Sequence, residues 1–485
     1  MNKQYAAYKK FFTVMQAKHN IQDAKILRKL TALGREAEIA LYKEEFDLSI
    51  SKAEEIEKLL SGEGFIVKNR QFNYRIDNNI QKIGQEIRAQ YAQLILQLKS
   101  AMSQDDLAGI YTICNKLKVL LQDEACKTEV PALYFNKVAK NADYSTIKKM
   151  YNALAENANY PYLNYYCTGR YPDSNDVEIY LRTGCEMINS AFACIDNGTI
   201  SQEKRESLMT QAQQGLDSLL TVQAESGVFP FPDMRKVNPW FAPMIEKILE
   251  GLDEKEYIQN GWIVKGVRGD GGLQFDNALC GSILIEGYKR FKNKRYLEAA
   301  TRAGDWALEQ DIVINFNYNA FSVKLLSELF EVTGNNKYLN GAIKKVRLGI
   351  MPGLCSSGRY FDGHNAKTVY HLIIVRGLLS VSRALWEAGI GLMDIEQALK
   401  LAIKGMTDEI MDKGANNQSA CIQCFSLYTQ LFGIDSKVVA AYRLCLNSIF
   451  YEINEETPSF KDSQGIGIPL STFSMVIKME ELING

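Results

Sequence analysis

Two stretches of this chain match one another at a fixed distance, and that repeat is the strongest constraint on what it can fold into. GLQFDNALCGSILIEGYKRFKNKRYLEAA, beginning at Gly272, and INFNYNAFSVKLLSELFEVTGNNKYLNGA, beginning at Ile314, align at an offset of 42 residues. Asn277 then falls on Asn319, Leu284 on Leu326, Glu286 on Glu328, Tyr296 on Tyr338 and Leu297 on Leu339. A repeat of this length is one helical hairpin with its loops, and such a unit buries its apolar face only by stacking on neighbours. The same opening recurs less closely at Asn365 and Asn417, each before an apolar helical run. An Asn side chain readily caps the orphan amides of a helix's first turn. The repeat therefore predicts that Asn277, Asn319, Asn365 and Asn417 begin the inner helices of successive hairpins.

Apolar residues recur at helical spacing almost throughout, with little strand alternation, so the fold class is all-α. At 485 residues the chain exceeds the size at which one core usually stops growing. Residues 1–156 read as an N-terminal helical module. Within it Ile76, Ile80, Ile83, Ile87, Leu94 and Leu98 form a stripe suited to a coiled-coil-like hairpin, and the glycines of GEGF at 62–65 interrupt the pattern just before it. NANYPYLNYYCTGRYPDSN, at 157–175, replaces charged helix with Pro, Asn and Tyr and reads as a linker or a long functional loop. The repetitive region, 176–485, follows.

Lys and Arg number 56 against 57 Asp and Glu, a net charge of −1, which offers no electrostatic footprint for nucleic acid or an anionic membrane. The first twenty residues lack the apolar core and cleavage site of a secretory leader, and no later run approaches about 18 uncharged apolar residues. A cytoplasmic protein is expected, with homo-oligomerisation through the N-terminal helices as an option. The ten cysteines lie mostly within apolar helical patterns and read as reduced core thiols. Cys421 and Cys424 form a CxxC without the second pair or histidine that zinc would need. No phosphate-binding glycine loop, nucleophile elbow or metal motif is present, so no cofactor and no metal are expected.

A helix, an NKRYL or NNKYL turn, a second helix with a small-residue and Trp face, then a glycine-rich loop: over 176–485 this resembles the α/α toroid, or six-hairpin, proteins. GVFPFPD at 227–233 and GDGGLQFDNA at 269–278 are similar to the glycine and aromatic loops of pectate-lyase-like toroids. The resemblance implies inner helices ringing a funnel, loops that hold a sugar, and the activity of a glycoside hydrolase, polysaccharide lyase or sugar epimerase.

The residues that could carry such chemistry cluster in those loops. FDGHNAKTVYH, at 361–371, holds two of the three histidines, His364 and His371. Seven residues apart, they would lie roughly 10 Å apart along a helix, too far for one metal ion. His364 and Tyr370 could act as general base and acid, with Arg359 or Arg268 neutralising a substrate carboxylate, as β-elimination on a uronic acid requires. Alternatively Asp270, Asp276 and Asp362 supply the paired carboxylates of glycosidic hydrolysis. Asp276 and Asp362 could equally serve the helix dipole, and His371 could simply pack in the wall with Tyr370 facing an adjacent helix. Trp240, Trp262, Tyr318 and Tyr360 lie in or beside loops, where aromatic faces stack on sugar rings or pin the loop. The reading is a carbohydrate-active enzyme on an oligosaccharide, an acidic one by expectation. Asp270, Asp362, His364 and Tyr370 are the catalytic candidates. Arg268, Arg359, Asp276, Trp240, Trp262, Tyr318, Tyr360 and His371 are the candidate binding residues. The alternative is a non-catalytic toroid that binds a glycan, peptide or protein.

Overall fold

The computed structural model describes residues 45–62, 85–128, 144–171, 174–233, 242–266, 271–362, 364–413, 418–452 and 468–484, with Arg235 and scattered positions before residue 45. In chain order the helices are α1 (Phe46–Gly62), α2 (Gln85–Ser103), α3 (Leu107–Thr128), α4 (Tyr144–Asn157) and the short α5 (Leu163–Thr168). A first hairpin, α6 (Leu181–Asn197) and α7 (Gln202–Leu220), is followed by α8 (Ala242–Leu249) and α9 (Glu254–Tyr257). Four more hairpins or near-hairpins follow: α10 (Gln274–Phe291) with α11 (Lys294–Glu309), α12 (Phe316–Thr333) with α13 (Asn336–Gly349), α14 (Thr368–Glu387) with α15 (Met393–Lys413), and α16 (Gln418–Phe432) with α17 (Ser436–Glu452). The last helix is α18 (Ile468–Asn484). Between α7 and α10 the strands β1 (Phe231–Pro232), β2 (Ile258–Gln259) and β3 (Trp262–Ile263) form a small antiparallel sheet with β3 in the middle.

The helix contacts close on themselves. α6 packs on α10, α10 on α12, α12 on α14, α14 on α16, α16 on α18, and α18 returns to α6. Outside this ring α7, α11, α13, α15 and α17 each lie on the inner helix that precedes them. The outer place beside α18 is taken by α4, so the end of the chain is joined to a helix from its first third. Six inner and six outer helices make an α/α toroid.

Burial follows the two roles. α11, an outer helix, has one apolar stripe, Tyr296, Ala299, Ala300, Ala303 and Ala307, and a polar outer face. α10, an inner helix, is buried almost continuously from Gln274 to Ile285. Small residues permit that crowding: a Cβ on Gly281 would lie 2.6 Å from Leu325 of α12. The repeat is visible in matched bonds. Tyr296 donates its hydroxyl to Asp217 at 2.9 Å, and Tyr338, its partner at the repeat offset, donates to Asp305 at 2.9 Å.

The asparagines of the repeat act differently from the expectation. Asn277 and Asn319 are the fourth residues of α10 and α12, fully buried, and neither is a cap. Asn277 accepts from Phe229 N at 3.0 Å and donates to Ala303 O of α11 at 3.0 Å. Asn319 accepts from Val313 N at 3.1 Å and donates to Gly349 O of α13 at 2.8 Å. Each amide thus ties a segment upstream of its own inner helix, Phe229 or Val313, to the outer helix of the same hairpin. The caps are Asn293 and Asn335 of the NKRYL and NNKYL turns, whose side chains accept from Arg295 N and Lys337 N. Asn365 precedes α14, and Asn417 lies outside the described residues.

One core runs from Leu98 and Leu117 of α2 and α3 through the ring to Met479. Residues before 62, including Phe11, Leu30, Ile56 and Leu60, form a separate cluster. Of the interrupted stripe, Leu98 is buried and Leu94 packs beside it, whereas Ile76, Ile80 and Ile83 lie outside the described residues. α14 is long and apolar enough to cross a membrane by length and composition, although Arg376 and Arg383 interrupt its apolar run, and it is a mostly buried inner helix. Cys421 and Cys424 are buried in the core, the latter donating to Leu372 O at 3.6 Å.

Candidate active site

The N-terminal ends of α10, α12 and α14 and the segments leading into them carry Asp276, Tyr318, Arg359, Tyr360, Asp362, His364, Tyr370 and His371. The segment before α14 folds back on itself through a bridge between Leu354 and Tyr360. Gly358, at φ +81°, makes its turn against α15, where a Cβ would strike the backbone of Leu401 and Gly405. Arg359 follows that turn directly. Its guanidinium is ion-paired with Glu409 of α15 and donates to Ala366 O, while Glu409 also accepts from Thr368 Oγ1 at 3.1 Å. A guanidinium committed to a buried carboxylate does not supply a free charge for a substrate.

Asp362 is held by its own loop and by α12. Its carboxylate accepts from Asn365 N at 2.8 Å and from Asn365 Nδ2 at 3.0 Å. Asn365 in turn accepts from the backbone and side-chain nitrogens of Asn317 at 3.1 and 3.0 Å. These bonds favour the charged form, yet burial outweighs them and pushes the carboxyl up to about 6. Part of Asp362 stays open to a pocket of about 270 Å³, which it lines with Phe316, Phe361 and His364 on the ring side. The opposite wall is α2, through Tyr91, Ile95 and Leu98. Burial pushes the Tyr91 hydroxyl up to about 12, and the charge of Asp362 adds to the effect. Beside the pocket the His364 ring stacks on Tyr370, with centroids 3.8 Å apart.

The N-terminal hairpin is fastened over this loop. Lys118 of α3 donates to Leu354 O at 3.0 Å, and Asp105, in the turn after α2, pairs with Lys344 of α13 at 2.5 Å.

A second group of side chains lies at the start of α6, α10 and α12. Arg182 grips Asp276 through bonds of 3.0 and 2.7 Å. Its guanidinium carbon lies 3.7 Å from the centroid of Phe275, 4.7 Å from Tyr180 and 5.7 Å from Phe231. Phe275 stacks on Phe321 at 4.0 Å. Tyr180, Phe231 and Phe275 remain half-buried, an aromatic platform built around a neutralised cation.

Several expected binding residues are structural instead. Asp276 is wholly buried in its ion pair. Tyr360 is buried, donates to Ile350 O at 3.0 Å and meets the His371 ring at 6.0 Å. His371 is fully buried, and its Nε2 donates to Ala402 O at 2.9 Å. Trp262 is buried in the small sheet, with Arg170 5.9 Å from its ring centroid. Tyr318 is half-buried against the core in the first turn of α12. Arg268, Asp270 and Trp240 lie outside the described residues. Among the described residues no three His, Cys, Asp or Glu side chains gather as a metal ion would require.

No protein-family model matches the chain. No curated protein matches it. Among solved structures, an unsaturated glucuronyl hydrolase from Streptococcus agalactiae is similar at 14% identity and a TM-score of 0.43, over 73% of this chain and 99% of that one. A GH76 α-mannanase from Bacteroides thetaiotaomicron is similar at 11% identity and a TM-score of 0.41, over 71% of this chain and 98% of that one. The endoglucanase CelQ from Clostridium thermocellum is similar at 12% identity and a TM-score of 0.38, over 64% of this chain and 56% of that one. What makes this chain a toroid is the closed order of its own inner helices.

Sequence reasoning missed Tyr91, Tyr180 and Arg182. Tyr91 sits in a charged amphipathic helix with no motif around it, and only the docking of α2 on the ring brings it to Asp362. Arg182 carried one signal, since a lone cation at the start of an apolar inner helix demands a buried partner.

Proposed function

We propose that the chain is a carbohydrate-active enzyme that hydrolyses an oligosaccharide at the mouth of the ring, with Asp362 as the general acid. The observation that carries this reading is the Asp362 carboxyl, raised to about 6 in a pocket closed on one side by α2. A carboxylic acid that keeps its proton near neutrality can deliver it to a glycosidic oxygen, which an ordinary exposed Asp cannot. The half-buried rings of Tyr180 and Phe231, which lie farther from the Arg182 guanidinium than Phe275 does, support sugar stacking.

Hydrolysis needs a second carboxylate, as base or nucleophile. Asp276 is spent on Arg182, so Asp270, in the glycine-flanked loop before α10, is the residue proposed for that role. The acidic substrate expected from Arg359 loses that support, because Glu409 takes its charge. Arg268, the other candidate for a substrate carboxylate, lies outside the described residues, so the proposal is an oligosaccharide with no charge assigned.

The test is a panel of neutral and acidic oligosaccharides, with products separated by chromatography. Release of reducing ends that is lost in Asp362→Asn and Asp270→Asn supports hydrolysis. An ultraviolet-absorbing unsaturated uronate, lost in His364→Ala or Tyr370→Phe instead, would mean elimination by the stacked pair. Glycan binding without any product would mean a non-catalytic toroid.

A further inference from the structure

A second cavity, partly open to solvent, is lined by all six inner helices and shares no lining residue with the Asp362 pocket. Its volume is about 360 Å³, at the lower end of small-molecule pockets, which run from ~300 to ~1,000 Å³. The lining is charged where a toroid core could have closed on apolar side chains.

Most of those charges are matched. Lys324 donates to Ser282 Oγ at 2.7 Å and pairs with Glu328 at 2.8 Å. Ser282 and Lys324 are equivalent at the 42-residue repeat offset, so the repeat built this contact from two copies of one position. Arg383 forks onto Glu331 with two bonds of 2.8 Å, and Arg290 onto Asp196 at 2.7 and 2.5 Å.

Arg376 and Glu186 are two of the exceptions. Both line the cavity and both are half-buried. Among the described residues, no hydrogen bond or ion pair takes the side chain of either. Arg376 lies on α14 and Glu186 on α6, which are opposite one another in the ring order, so the two charges line the cavity from opposite helices without pairing. Asn189, one turn along from Glu186, also lines the α6 wall. Lys478 of α18 adds a second lining cation with no partner among the described residues. A half-buried guanidinium fork without a carboxylate or phosphate forgoes its strongest bonds. A carboxylate opposite it forgoes donors that hydroxyl groups would supply.

We propose that this cavity binds a monosaccharide-sized organic oxyanion bearing hydroxyl groups, its anionic end on Arg376 and its hydroxyls on Glu186 and Asn189. Both poles are needed to define the ligand. A bare anion leaves Glu186 and Asn189 unserved, and a neutral polyol leaves Arg376 unserved. The site does not depend on the chemistry assigned to the mouth of the ring.

Calorimetry and thermal shift on the full chain test it with D-gluconate, glycerol 3-phosphate, D-glucose and inorganic phosphate. Gluconate or glycerol 3-phosphate is expected to bind and to raise Tm, the better of the two identifying a carboxylate or a phosphate as the anion. Glucose and inorganic phosphate are expected to bind at least about tenfold more weakly, and Arg376→Gln to lose about tenfold or more in affinity for the oxyanion. Glu186→Gln, which keeps shape and removes charge, should weaken gluconate while leaving the far-ultraviolet circular dichroism unchanged, and it serves if Arg376→Gln does not fold. Failure of both hydroxylated anions to bind, equal binding of glucose or phosphate, or wild-type affinity in a folded variant at either position overturns the proposal.

Discussion

Arg182 and Asp276, 94 residues apart, hold each other through bonds of 3.0 and 2.7 Å, with the carboxylate fully buried and the guanidinium lying over Phe275. This pair locks the mouth ends of two neighbouring inner helices, α6 and α10. Removing the cation leaves a buried charge with no counter-ion, so Arg182→Gln is expected to cost about 3–5 kcal/mol in urea unfolding. Asp276→Asn leaves behind a cation that is partly solvated, 26% exposed, and should cost less. Equal costs, or a stable Arg182→Gln, would mean that the pair does not hold the mouth.

The repeat asparagines give a second expectation. Asn277→Ala or Asn319→Ala strands a buried amide and a buried carbonyl, and each should cost about 2–4 kcal/mol. Asn293→Ala and Asn335→Ala remove exposed N-caps worth about 1 kcal/mol each. Denaturant midpoints of the four variants check this order. Caps that cost as much as the buried amides would contradict the roles assigned to them.

Asp362 should make stability depend on pH. Its carboxyl is raised from 3.8 to about 6 in the fold, so the native state binds the proton more tightly than the unfolded chain. Its contribution is full below about pH 4 and is lost as pH rises through about 6, with at most about 3 kcal/mol at stake. Asp362→Asn, which mimics the protonated form, should therefore be more stable than the wild type at pH 8 and equal to it near pH 4. A pH-independent difference in unfolding free energy would show that Asp362 carries no raised carboxyl.

Much of the architecture was legible because the toroid's hairpins write a period into the chain. The 42-residue offset, the NKRYL and NNKYL turns and the helical spacing are local patterns, and local patterns survive in sequence. Site chemistry was less legible, for a physical reason. Whether Arg359 is free or spent depends on Glu409, and Asp276 on Arg182, contacts made across hairpins by residues far apart in the chain. Asn277 and Asn319 illustrate the same limit, since Asn at the opening of a helix fits a cap and a buried cross-link equally well until the outer helix is in place. Tyr91 shows it most sharply, because nothing near it in sequence indicates that α2 covers Asp362.

The most direct test of the account is kcat/KM against pH for the wild type and Asp362→Asn on an oligosaccharide that the wild type cleaves. The expected wild-type profile falls as pH rises through about 6, where Asp362 loses its proton, and the variant is slower by about 10²–10⁴-fold with that limb gone. A variant that keeps wild-type turnover and the same limb would contradict Asp362 as the general acid.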